Sequence, residues 1–342
     1  MRIGRPGWIA ISCLIGAIGC APSVERRTSV AAVSFRPSRP VHTYSIVARD
    51  SRTGQLGVAV QSHWFSVGPI VPWAEAGVGA VATQSFVDPS YGKLGLELMR
   101  AGRSAPDALK GLLAADGDRE TRQVAMIDAQ GRVAAHTGSR NIQAAGHAVG
   151  KDYSVQANLM VNDKVWPAMA KAYETTDGDL AERMMAALEA AQQVGGDIRG
   201  QQSAALVVVA EKSTGQPWVD RVFDLRVDDH PEPLKELRRL LVLQRAYLHM
   251  NAGDEAVTRA DHNKALEEYA AAARLAPDNL EMAYWHAVAL VNMKKVDDAL
   301  PLFQRVFRRD RNWATLTPRL VAAGLLPDDK AILERILAAE KE

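Results

Sequence analysis

The sequence predicts an α+β protein, a four-layer αββα sandwich followed by an all-α tail. Strand-like segments return on themselves through short Gly- and Asp-containing turns, which makes their pairing antiparallel. Helical segments arrive two at a time between the strand groups, so each of two sheets gains a covering pair. Strand patterning stops at Pro231, beyond which Ala, Leu, Glu and Arg dominate. A parallel βαβ arrangement is the poorer alternative.

The 342 residues exceed a usual single domain, and 47% hydrophobic content suffices for a core in each of two. Residues 1–20 read as a leader. Arg2 and Arg5 precede the apolar run Trp8 to Gly19, and small residues precede Cys20. The run is too short to span a bilayer as a mature helix. Ala17-Ile18-Gly19-Cys20 resembles a lipobox, which makes Cys20 the expected lipidation site and the protein an exported lipoprotein on the periplasmic side of the envelope; a plain secretory signal is the alternative. Residues 21–42, rich in Pro, Ser and Arg without apolar period, form a flexible linker.

The sandwich is expected over 43–230. Thr43 to Arg49 and Leu56 to Gln61 form a hairpin about the turn DSRTGQ, and Gly77 to Ser85 is a third strand whose small residues invite close packing. Helices follow over Ser90 to Ala101 and Ala105 to Ala115, separated by Gly102 and capped by Ser104. Gln123 to Asp128 and Arg132 to His136 make a second hairpin, and Tyr153 to Val161 adds a strand. Helices over Val165 to Tyr173 and Asp179 to Gln193 precede strands at Ala204 to Ala210 and Pro217 to Val227.

The tail, 231–342, carries an internal repeat at a spacing of 34: Ala265 with Ala299, Leu266 with Leu300, Tyr269 with Phe303, Ala272 with Val306. This resembles the second helix of a tetratricopeptide repeat. Pro231 to Met250 is then the first leading helix, Gly253 and Pro277 mark the helix turn and repeat end, and Ala314 to Ala323 with Asp328 to Ala339 close the far end. An ordinary helical appendage is the alternative. Such a tail is expected to hold a protein partner.

The blocks SIVARD, TGQLGVAVQS, VGPIVPWAEAGVGAVATQ and YGKLGLELM resemble the bacterial domain-of-unknown-function family numbered 1028, and RQVAMIDAQGRVAAHTGS, YSVQANLM, GGDIRGQQSAALVVV and DLRVDDHPEPLKELRRLL agree. The resemblance covers about Thr43 to Leu243 and implies an N-terminal-nucleophile (Ntn) hydrolase-like fold. It brings no established reaction.

An Ntn hydrolase uses a Thr, Ser or Cys at a free N-terminus, whose α-amine titrates near neutrality and takes the side-chain proton. Thr43, opening the first strand, matches that place and is the candidate catalytic residue. Its amine is usable only after a cut before it, and the lysine many such sites use is missing, Lys93 being the first after Thr43. Ser62, Gln84, Asn158, Asp197 and Arg199, on or beside small-residue strands, are the candidate substrate-binding residues. Each also has a structural reading, in turns, strand ends or an ion pair.

The net charge of +1 gives no basic excess for nucleic acid. With Cys13 and Cys20 the only cysteines, no disulfide or thiolate chemistry is expected downstream. No HxH, HExxH, GxSxG, P-loop or GxGxxG occurs, so no metal or cofactor is expected. Two functions stay open: an envelope Ntn-type amide hydrolase, or a non-catalytic protein binding a ligand through the sandwich and a partner through the tail. Self-association also stays open.

Overall fold

Side-chain alternation along the first strand, β1 (Thr43–Arg49), sets the layers. Tyr44, Ile46 and Ala48 enter one apolar core, while Val47 enters another on the opposite face. The computed structural model describes Val41 and residues 43–339. The expected leader, Cys20 and the linker up to residue 40, with residue 42, lie outside the described residues.

Strand β1 pairs antiparallel with β2 (Leu56–Ser62) on one side and β8 (Tyr153–Ala157) on the other. β7 (Gly146–Gly150), β9 (Ser203–Val209) and β10 (Arg221–Val227) complete a six-stranded sheet in the order β10-β9-β2-β1-β8-β7. The second sheet has the order β3-β4-β5-β6, from β3 (Pro72–Glu75), β4 (Gly79–Ser85), β5 (Arg122–Asp128) and β6 (Val133–Thr137). Every ladder among the described strands is antiparallel, which settles the choice against a βαβ fold.

The helix pairs cover the outer faces as the element order required. Helices α1 (Ser90–Arg100) and α2 (Ala105–Ala115) pack on the four-stranded sheet through Tyr91, Leu96, Met99 and Leu109. Helices α3 (Val165–Thr175) and α4 (Leu180–Gln193) cover the six-stranded sheet through Met169, Tyr173, Met184 and Leu188. Between the sheets lies a Val- and Ala-rich core. The crowding expected from the small residues of β4 is real: a Cβ on Gly79 would sit 2.6 Å from the Ile127 carbonyl oxygen and 2.7 Å from Met99 Cε.

Three local expectations need correction. β3 and β7 are additional strands; both are short, and β7 is half exposed, so neither carries a long apolar pattern. Pro217–Asp220 is a helical turn, α5, not the start of a strand. Pro217 supplies the fixed φ of a first helical position, and Asp220 turns back to accept from Thr214 N and Oγ1 and Ser213 Oγ. Finally, Gly253 is not a helix turn. It lies inside α6 (Pro233–Thr258), where a Cβ would come 2.7 Å from the Tyr269 ring. Glycine is there to let α6 meet α7 (His262–Leu275).

The tail continues with α8 (Leu280–Asn292), α9 (Val296–Arg309), α10 (Asn312–Ala322) and α11 (Lys330–Ala338). Helix α6 is shared. Leu234, Leu237 and Leu241 pack into the core of the six-stranded sheet, whereas Ala246, Met250 and Ala256 join the core of α7 and α8. Ionic pairs fasten the same helix to α4: Arg238 to Glu182 and Glu189, and Arg245 to Glu182 and Asp179.

Burial works to raise the Glu182 carboxyl pKa, but hydrogen bonds from Arg238 and Arg245 outweigh it and hold the pKa below the ordinary value. A depressed carboxyl stabilises the fold above its unfolded pKa, and that contribution is lost as pH falls through the folded value. Glu182→Gln should therefore lower the Tm at pH 7, with the gap to wild type closing under acid conditions. Thermal melts across pH check this; a gap independent of pH would remove these pairs from the account of how α6 is held.

Candidate functional site

Alternation that places Val47, Val58, Ala82 and Ile127 between the sheets places polar residues there at one end of the sandwich. In phase with them are Thr43 and Ser45 on β1, Ser62 on β2, Gln84 on β4 and Gln123 on β5. From β8, Ser154 and Gln156 face the same layer, because Tyr153, Val155 and Ala157 face the helices. All seven polar side chains are buried. The sequence has put hydrogen-bonding groups where one end of an apolar core would be.

Their bonds form a directed chain. Ser154 Oγ donates to Gln156 Oε1 at 3.0 Å, Gln156 Nε2 to Ser45 Oγ at 2.6 Å, and Ser45 Oγ to Gln84 Oε1 at 2.6 Å. Gln84 Nε2 then donates to Gln123 Oε1 at 2.6 Å, and Gln123 Nε2 to Thr137 Oγ1 at 2.9 Å and to the Ala157 carbonyl at 2.9 Å. Thr137 Oγ1 lies 2.8 Å from His147 Nδ1. Burial, and after it the charge of His136, lowers the His147 pKa, so a neutral ring can accept from Thr137 and end the chain.

Thr43 sits at the edge of this network, wholly buried. Its hydroxyl donates to the Val41 carbonyl at 2.9 Å and lies 3.2 Å from Ser62 Oγ. Its own carbonyl accepts from Asn158 N at 3.1 Å and Gln84 Nε2 at 3.3 Å, with Asn158 Nδ2 at 3.5 Å. Just upstream the chain belongs to the other sheet: Val41 N donates to the Ser85 carbonyl at 2.6 Å, and Ser85 N donates back to Val41 at 2.9 Å. The chain therefore passes from one sheet to the other within two residues, directly before Thr43.

Asp197 and Arg199 form a second group. Asp197 is 3% exposed; it accepts from Arg199 N, Nε and Nη2 and from His63 N, next to Ser62. Burial, reinforced by the Asp197 charge, pushes the Tyr44 hydroxyl well above its ordinary pKa, and that hydroxyl donates to Gln192 Oε1 at 2.9 Å. The pair thus anchors the loop that borders Ser62. Backbone strain gathers at this end too. Of seven non-glycine residues with positive φ among the described residues, Ser85 ends β4 there and Ser66, Ala144 and Leu159 lie in connections leaving it. Such strain persists only where surroundings enforce it, and it clusters at functional sites.

Of the residues expected from sequence, Thr43, Ser62, Gln84 and Asn158 come together directly, and Asp197 with Arg199 joins them through the Ser62-His63 backbone. Gln84 and Asn158 hold the Thr43 carbonyl and the network rather than projecting into solvent. Sequence reading missed Gln123, Gln156 and Thr137. The period-2 phase with Ala125 and Ile127 in RQVAMID, and with Ser154 in YSVQ, could have found the first two. No group of three or more His, Cys, Asp or Glu among the described residues could hold a metal ion.

Comparison with known proteins matches the chain to a family and to solved structures. The family of unknown function DUF1028 matches residues 43–237. The crystal structure of protein SPO2555 from Silicibacter pomeroyi, assigned to DUF1028, is 30% identical, with a TM-score of 0.53 over 58% of this chain and 88% of that chain. No curated protein matches. The family match ends at Leu237, within the part of α6 that packs on the sandwich.

Gln123 accepts from both Gln84 Nε2 and Asn158 Nδ2, the latter at 2.8 Å. Replacing it with Leu deprives two buried donors of an acceptor, each worth about 1–3 kcal/mol. Gln123→Leu is therefore expected to destabilise the sandwich by about 2–6 kcal/mol in urea denaturation. A loss near zero would mean that the network does not hold the sheets.

Proposed function

We propose, from the premise that the chain belongs to the family of unknown function DUF1028, that its sandwich is an amide-bond hydrolase of the N-terminal-nucleophile type, with Thr43 as nucleophile once the bond between residues 42 and 43 is cut. One observation carries this reading. The Val41 carbonyl is held by the Thr43 hydroxyl at 2.9 Å and the Ser85 N–H at 2.9 Å. Both donate to the one carbonyl oxygen, so a candidate nucleophile and a backbone donor of the kind an oxyanion needs converge on a single peptide carbonyl, and acyl transfer needs both.

Removal of the segment up to residue 42, Val41 included, frees both groups for a substrate carbonyl. Thr43 Oγ1 then attacks the carbonyl carbon while the new α-amine takes the hydroxyl proton. The amine returns that proton to the leaving nitrogen, an ester remains on Oγ1, and water attacks that ester to restore the hydroxyl. Ser85 N–H stabilises the negative oxygen in both steps. Gln84 and Asn158 fix Thr43 through its carbonyl, and Ser62 sets the direction of its hydroxyl.

The remainder of the chain suits an envelope lipoprotein anchored through Cys20, with a tetratricopeptide-like tail. The repeat spacing supports the tail assignment: Ala265 and Ala299, Tyr269 and Phe303, and Ala272 and Val306 are all buried at equivalent places of α7 and α9. A non-catalytic reading, in which the sandwich binds a ligand and the tail a partner, is favoured by the full burial of Thr43 in the uncut chain.

Intact-mass measurement on protein purified from the envelope separates the two. The hydrolase reading expects a chain beginning at Thr43, and Thr43→Ala should then abolish amide turnover with little loss of stability. Material that retains the 42–43 bond throughout would leave the non-catalytic reading. Separately, Cys20→Ala should move the unprocessed protein from membranes to the soluble fraction, since lipid supplies the affinity. Identical partitioning of variant and wild type would remove the lipid anchor.

A further inference from the structure

The tail holds a groove that neither the family match nor the hydrolase reading involves. It is a cavity of about 500 Å³ lined by α6, α8, one residue of α7 and the turn between α10 and α11. Its wall combines three aromatic side chains, Tyr247, Tyr269 and Trp285, with two carboxylates, Asp254 and Glu281. Leu325, 46% exposed, continues the surface over the buried Met250 and Met282 at the floor.

The polar groups are arranged, not scattered. The Tyr247 hydroxyl donates to Glu281 Oε2 at 2.6 Å, and the Tyr269 hydroxyl donates to Asp254 Oδ1 at 2.7 Å. Trp285 Nε1 lies 3.4 Å from Glu281 Oε1. Each carboxylate is thus fixed by an aromatic neighbour, and no Lys, Arg or His lines the cavity among the described residues. Two negative charges beside the half-buried rings of Tyr247 and Trp285, with no cation in the lining, make a receptor for positive charge: carboxylates supply ion pairs and an accessible ring face attracts a cation through its quadrupole, whereas Tyr269 is buried and only holds Asp254.

We infer that this groove binds a lysine or arginine side chain presented by an extended segment of a partner protein. Charge complementarity selects the cation. The continuation of the wall from α6 across α8 to Leu325 favours a peptide, since it offers apolar surface to the residues flanking that cation. An acidic peptide would meet Asp254 and Glu281 with like charge and be rejected.

The test uses the full chain and fluorescein-labelled decapeptides of alternating Lys and Leu, their Glu and acetyl-lysine counterparts, and N-acetyl-lysine amide as a small competitor. Anisotropy should show binding of the Lys peptide only, weakened at least about tenfold by Asp254→Asn with Glu281→Gln, and weakened by high salt. Asn251→Lys, at an exposed position of the groove wall, should weaken binding similarly without touching the core. Thr43→Ala should bind as wild type does, so failure here is distinct from failure of the hydrolase reading. No detectable binding of the Lys peptide, equal binding of the Glu or acetyl-lysine peptide, or binding unchanged in both groove variants overturns the inference. Competition by N-acetyl-lysine amide at the same concentration as the peptide would also overturn it, pointing to a small amine.

Discussion

The amide chain between the two sheets is the interaction on which the rest of the sandwich depends. Gln84, Gln123 and Gln156, with Ser45, cross a layer that elsewhere is apolar and rich in Val and Ala, and each uses both a donor and an acceptor there. A one-residue slip of any of these strands would turn its glutamine toward the helices and leave its partners unsatisfied in a dry interior. An apolar layer would tolerate sliding; this one fixes register and sheet spacing together. It also fixes the orientation of every amide, because the chain runs in one sense from Ser154 toward His147.

That rigidity bears on Thr43. Its carbonyl is held by Asn158 and Gln84, which ties its backbone to the network, while its hydroxyl is directed by Val41 and Ser62. The sheet change between Val41 and Thr43 sets a peptide carbonyl against the hydroxyl, and the left-handed backbone at Ser85 keeps its N–H on the same oxygen. The strain at Ser66 is maintained by a loop pinned on Asp197, Ser203 and Asp228. Stability in the sandwich core is thereby converted into precision at its end.

Helix α6 links this architecture to the tail without a flexible joint. Its first half completes the apolar cover of the six-stranded sheet, its second half seeds the core of the helical tail, and Arg238 and Arg245 tie it to α4 between the two. Apolar burial supplies most of that attachment, and the partly exposed ion pairs orient it. The groove formed by α6 and α8 is therefore held at a fixed place relative to the Thr43 end of the sandwich.

The sequence by itself determined the fold class, the pairing of helices and the family, because these rest on local turn chemistry, on periods of 2 and 3.6, and on long ordered motifs. It also singled out Thr43, through the resemblance that puts a nucleophile at the start of the first strand, and Ser62, at the end of a readable small-residue strand. It did not reveal β3 and β7, whose short runs carry little pattern, nor the helical turn at Pro217. Gly253 was legible as special but not as a contact point, because only the approach of Tyr269 shows what its missing side chain permits. The glutamine network was half legible: phase put Gln123 and Gln156 on inward faces, but which amide meets which depends on how two sheets stack, and no local sequence encodes that. The pairing of Val41 with Ser85, and the meeting of Tyr247, Asp254 and Glu281 in one groove, were likewise decided only by tertiary packing, which brings together residues far apart in the chain.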